Sequence, residues 1–151
     1  MYFKMPISYD ISNTFNLLVY ICTDSWTGTA FFKTADKVPE DPRYCSNMKI
    51  IIDIFSAEIE TTLSDMHLAI EKNRQLKQKG QKLGQTAIFT KSTSLMFLAD
   101  AFRLMSPEAP SNFGVFNNKQ DVVRWLGFTD AEKEVIRFWE GAKTSPPEKV
   151  P

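Results

Sequence analysis

A chain of 151 residues, 43% apolar and 24% charged, has the size and composition of one globular domain able to bury its own core. Lys plus Arg equals Asp plus Glu, at 18 each, so no global charge draws the chain to nucleic acid or to anionic lipid. The two cysteines, Cys22 and Cys45, form no CxxC pair, which argues against a disulfide framework or a zinc site and for reduced thiols in a cytoplasmic setting.

The longest apolar stretches, such as Phe15 to Cys22, fall far short of the roughly 20 residues a spanning helix needs, so stable membrane insertion is not expected. The first residues, Met-Tyr-Phe-Lys-Met-Pro, lack the apolar run and cleavage site of a signal peptide. Ile7, Tyr9 and Ile11 then alternate with Ser8, Asp10 and Ser12, predicting a half-exposed strand. Asn13 and Thr14 turn the chain into Phe15 to Cys22, an almost unbroken apolar run expected to be buried on both faces and paired to the first strand as a hairpin. Asp24 and Ser25 can open a helix from Trp26 to about Lys37, which Pro39 and Pro42 break. Lys49 to Phe55, with three consecutive isoleucines, is the clearest central strand.

A helix is predicted from about Thr61 to Lys79, with Leu63, Met66, Ile70 and Leu76 at helical spacing. Its acids gather near the start and its bases, Lys72, Arg74, Lys77, Lys79 and Lys82, towards the end. That polarity suits the helix dipole and requires no nucleic-acid partner. Gly80 and Gly84 end it, and Gln85 to Thr90 forms the next strand. Ser92, Thr93 and Ser94 can cap a helix running to Met105, closed by Pro107 and Pro110. Phe113 to Phe116 is a last short strand. Asn118 caps a helix through Leu126, and Gly127 stops it. Thr129-Asp130-Ala131-Glu132 has the form of a capping box opening a final helix to about Glu140. Residues 143–151 read as a flexible tail, leaving 1–142 as a single domain. The order ββαβαβαβα implies an α/β fold with a mixed, mostly parallel sheet and an N-terminal antiparallel hairpin.

Several of these segments resemble the SpoIIAA-like group of STAS-fold proteins. Asp41-Pro42-Arg43-Tyr44 followed by Lys49-Ile50-Ile51-Ile52-Asp53 is similar to that family's Pro-Arg-Tyr passage, gap, strand and Asp. Thr86 to Thr90, the helix from Phe97 to Met105, and Val115-Phe116-Asn117-Asn118 with Asp121 to Gly127 resemble its later elements in order. The resemblance covers roughly Ile7 to Gly127 and implies a STAS-like sheet with helices mainly on one face. It also implies either of two roles: a regulatory module that binds a partner protein and is switched by phosphorylation, or a carrier of small apolar ligands. Fold alone decides neither. The antagonists' phosphorylated segment would fall near Thr61, Thr62 and Ser64, but Asp-Ser-x-Gly is missing there and Leu63 follows, which puts a direct antagonist role in doubt.

His67 is the only histidine and has no second His or Cys near it, so neither a metal site nor a catalytic triad is indicated. No cofactor and no enzymatic activity are expected. Asp53, at the carboxyl end of the central strand, is placed where open α/β sheets bind ligands; it could equally hydrogen-bond the next helix or pair with Arg43. Leu95, Leu98, Phe102 and Met105 make one stripe, and Phe97, Ala101 and Leu104 a second, a wider apolar band than one sheet requires. A ligand site built from Trp26, Phe31, Asp53, Phe97, Phe102 and Met105 would use that surplus. Val135, Ile136, Phe138 and Trp139 form a stripe on the final helix that must bury itself on the chain's own sheet, on the helix ending at Gly127, or against a second copy in a homodimer.

Overall fold

A computed structural model describes residues 7–26, 28–59, 71, 75, 84–92 and 113–144. Its centre is a five-stranded sheet in the order β1 (Ile7–Ser12), β2 (Leu17–Cys22), β4 (Lys49–Asp53), β6 (Thr86–Phe89), β7 (Phe113–Phe116). Strands β1 and β2 are antiparallel, and every later pairing is parallel. This is the mixed sheet expected from the alternation of apolar runs and breakers. Beyond it, β3 (Asp24–Trp26) and β5 (Ala57–Ile59) pair in parallel as a small second sheet.

All six residues of β2 are buried, as an uninterrupted apolar run requires, whereas β1 buries Ile7 and Ile11 and leaves its polar positions half-exposed. Phe15 lies in the turn rather than in β2, because Asn16 adopts φ of 51°, a left-handed position that asparagine tolerates. The central strand stops at Asp53, short of Phe55. The Asp53 side chain folds forward to accept from the Phe55 amide at 3.1 Å, and this local turn ends the ladder.

Helix α1 (Gly28–Lys37) begins after Trp26. The expected helical start at Trp26 is therefore corrected: Asp24, Ser25 and Trp26 pair with Ala57, Glu58 and Ile59 instead of capping a helix. Tertiary pairing overrides the weak local cap signal. Glu71 and Gln75, within the expected Thr61 to Lys79 helix, are helical and exposed.

Helix α2 (Lys119–Trp125) opens on the expected cap, with the Asn118 side chain accepting from the Asp121 amide at 3.2 Å. It closes on Gly127 at φ of 88°, with Gly127 N–H donating to Arg124 O and Phe128 N–H to Val123 O, both at 3.0 Å. Those two bonds satisfy the last carbonyls and need a residue free of Cβ strain. Helix α3 (Glu132–Thr144) follows, but not through the capping box expected at Thr129 to Glu132. Thr129–Ala131 forms a 3-10 turn with no side-chain cap, and the Glu132 carboxylate accepts from Arg124 Nε at 3.1 Å. The cation on α2 competes successfully for the acid that would have closed the box.

The sheet separates two apolar clusters. On one face Leu17, Val19, Ile21, Ile51, Ala87 and Phe89 meet Val122, Val123 and Leu126 of α2 and Val135, Trp139 and Ala142 of α3. On the other, Ile7, Ile11, Leu18, Tyr20 and Cys22 meet Phe31 and Ala35 of α1 and Val38 beyond it. Two of the described helices thus share one face and α1 takes the other. The final helix folds back on its own sheet: Val135 and Trp139 are fully buried there, which removes them from the homodimer interface that the stripe allowed.

Candidate functional site

Strand register places one residue from each strand in transverse rows. On the α1 face the row Tyr9, Tyr20, Ile52, Ile88, Val115 crosses all five strands. Tyr20 is buried, but Ile52, Ile88 and Val115 are only half-buried. The neighbouring row repeats the gradient: Ile11 and Leu18 are buried, while Ile50, Thr86 and Phe113 are half-buried. Their counterparts on the opposite face, Ile51 and Ala87, are wholly excluded from solvent. Burial under α1 therefore falls off from the hairpin towards β7, leaving a half-open apolar strip with Phe31 at its covered end. The Phe31 ring stands edge-on to Tyr20, with ring centroids 5.0 Å apart.

The carboxyl end of the parallel strands holds a different arrangement. Asp53 is 1% exposed; one carboxyl oxygen accepts from the Phe55 amide and the other from Trp139 Nε1 at 2.7 Å. Phe89, beside Asp53 in register, lies edge-on to Trp139 at 5.0 Å and stacks on Phe55 at 4.8 Å. Lys119 Nζ sits 5.3 Å from the centre of the Trp139 ring and pairs with Glu140 at 3.1 Å. Asp53 thus ties α3 to the sheet, whereas the helix next in sequence, which the sequence reading offered as its partner, lies almost wholly outside the described residues. The Arg43 pairing is not made.

Arg43 instead clamps the loop to the outer strand. Its Nε and a terminal nitrogen donate to the two oxygens of Asp41 at 3.1 and 3.0 Å, and its other terminal nitrogen donates to Asp10 at 3.0 Å. The Tyr9 hydroxyl donates to Asp41 at 3.0 Å. The hydrogen bond from Arg43 is the main reason the Asp41 carboxyl is held down at about 2. The Asp-Pro-Arg-Tyr passage accordingly closes on itself through the bidentate Arg43–Asp41 pair and is clamped to β1 through Asp10 and Tyr9. At the opposite end of the sheet, Lys49 Nζ donates to Leu126 O, and Gln85 Nε2 donates to Trp125 O at 3.2 Å. Both residues stand at the amino ends of strands and satisfy the C-terminal carbonyls of α2.

Two potential nucleophiles are quiet. Burial, reinforced by the nearby Asp53, pushes the Cys22 thiol up to about 12, so it carries almost no thiolate at neutral pH. Burial likewise raises the Tyr20 phenol well above its ordinary range. Among the described residues no group of three or more His, Cys, Asp and Glu side chains could hold a metal ion. No helix among them is long and apolar enough to cross a membrane.

Of the residues singled out in the sequence, Phe31 and Asp53 lie on opposite sides of the sheet, so the structure does not bring them together. Trp26 ends β3. Phe97, Phe102, Met105, Thr61, Thr62, Ser64 and His67 lie outside the described residues. Sequence reasoning missed Tyr20, Ile52 and Ile88 as a row, and it missed Trp139 as the partner of Asp53. The row needs strand register, which single-strand periodicity does not supply. The second had one available signal: a tryptophan on the buried stripe of a helix needs an acceptor for its N–H.

Neither a protein-family profile nor a curated protein matches the chain. Among solved structures it is similar to an uncharacterised protein of the DUF3478 family from Shewanella loihica PV-4, described as having a SpoIIAA-like fold. The two are 16% identical, the match covers 80% of this chain and 91% of that one, and the TM-score is 0.48.

Proposed function

We propose that the protein is a non-catalytic binding module for a small apolar ligand, held on the α1 side of the sheet. The observation that carries this reading is the asymmetry between the two faces. Successive residues of one strand, such as Ile51 and Ile52 or Ala87 and Ile88, differ in that the α2–α3 face is sealed and the α1 face is not. Apolar side chains left half-open in a continuous row favour an apolar occupant, since each Å² removed from water contributes about 25 cal/mol. Phe31 would close one end of the site. Trp26, Phe97, Phe102 and Met105 are the further contacts this reading assigns, and Asp53 is left out of it because its carboxyl already serves Trp139 and Phe55.

The non-catalytic part rests on the state of the reactive groups. The Cys22 thiol is protonated, and the Asp53 carboxyl is engaged with the protein's own donors on the sealed side of the sheet. Native mass spectrometry after mild extraction tests the proposal. It predicts added mass from a small molecule that organic extraction removes. A ligand-free protein that also fails to bind any apolar probe saturably contradicts it.

A further inference from the structure

The Tyr20 side chain stands out among the buried polar groups. The residue is 4% exposed, and its phenol ring is held between Phe31 at 5.0 Å and Tyr9 at 6.4 Å. The other buried polar side chains have partners: Asp53 accepts from Trp139 and Phe55, and Thr90 accepts from the Ser92 amide. Among the described residues the Tyr20 hydroxyl has no hydrogen-bond partner. A buried hydroxyl left unpaired costs about 1–3 kcal/mol, so such groups persist where something outside the chain satisfies them. Tyr20 is also the residue beside Ile52 in the half-open row.

We infer that the Tyr20 hydroxyl is the polar anchor of the ligand site, donating a hydrogen bond to a neutral acceptor oxygen on a ligand whose apolar body lies along Ile52, Ile88 and Val115. This rests on the binding reading above and narrows it to a class: aliphatic molecules carrying a ketone, aldehyde, ester or amide carbonyl. Three observations select that class. The phenol stays protonated, because burial raises its pKa and Tyr44, Tyr9, Cys22 and Asp36 all add to the rise, so it acts as a donor. The Asp36 carboxylate near the phenol disfavours a second negative charge there, which counts against a carboxylate or phosphate. The Arg43 guanidinium is committed, held by Asp41 and Asp10.

The test uses the full chain, the variant Tyr20→Phe, and three probes of matched length: methyl hexyl ketone, octane and octanoate. Binding is followed by titration of the isoleucine methyl resonances. The ketone is expected to bind the wild-type protein more tightly than octane or octanoate. Tyr20→Phe is expected to weaken the ketone by about tenfold and leave octane unchanged, the loss of one hydrogen bond. The variant should melt no lower than wild type, since it removes only an unpaired hydroxyl. Equal ketone affinity in the two proteins overturns the anchor while leaving the binding reading intact. So does a marked fall in the melting temperature of Tyr20→Phe, which would show that the hydroxyl is satisfied within the fold. If none of the three probes binds wild type, the anchor and the binding reading fall together.

Discussion

Replacing Trp139 by phenylalanine removes the indole N–H that reaches Asp53 at 2.7 Å and shrinks a side chain that is wholly buried. Two losses follow. Asp53 keeps its bond from the Phe55 amide, but the oxygen that faced Trp139 loses that donor out of reach of water, at about 2 kcal/mol. The smaller ring also loosens its edge-on contact with Phe89 and leaves part of its volume unfilled, at roughly 1 kcal/mol more. The expected destabilisation is about 3 kcal/mol, or a fall of about 10 °C in Tm for a chain of this length. Urea unfolding with an unchanged m-value measures it. The hydrogen bond can then be isolated by a cycle with Asp53→Ala, which should cost less in the Trp139→Phe background than in wild type by at least about 1 kcal/mol. A Trp139→Phe protein within about 0.5 kcal/mol of wild type would refute the reasoning, as would strictly additive single and double variants.

Acid should weaken the clamp on β1. The Asp41 carboxyl titrates at about 2 instead of the ordinary 3.8, so its stabilising contribution is present above that range and is lost as pH falls from 3.8 towards 2. In Arg43→Gln that part of the acid unfolding curve should flatten, and an unchanged curve would show that the clamp carries no stability. Gly84→Ala should lower stability by several kcal/mol in urea unfolding, because a Cβ there would stand 2.0 Å from the Met48 carbonyl oxygen and backbone would have to move. Alkylation of the native protein at mildly alkaline pH should label the exposed Cys45 and spare the buried Cys22, with Cys22 modified only after unfolding. Two adducts on the native protein, counted by mass, would contradict that.

The parts of the fold legible in the sequence were those with strong local pattern. The hairpin, the isoleucine strand and the Asn118 and Gly127 ends of α2 each had a periodicity or a residue whose backbone preference pointed one way. Competition between non-local partners decided the rest. Asp24 to Trp26 had a helix-start signal, but a second strand stood alongside to pair with it. Glu132 had the place of a capping residue, and Arg124 drew it away. Asp53 had three plausible partners in sequence, and only the packing of α3 selects Trp139. The stripe on α3 was correctly seen to need burial, but which surface receives it depends on how the sheet is covered. Phe31 was legible only as an aromatic of the expected ligand site; its contact with Tyr20 follows from the register of β2 under α1.

The account turns on one contrast, a half-open apolar row on the α1 face against a sealed face under α2 and α3. Isoleucine methyl labelling addresses both faces in one spectrum during titration with a saturating apolar probe. The account predicts large, saturable shifts at Ile50, Ile52 and Ile88, with Ile51 and Ile21 on the opposite face little changed. Shifts confined to Ile51 and Ile21, or no saturable shift at any of these methyls, would contradict it.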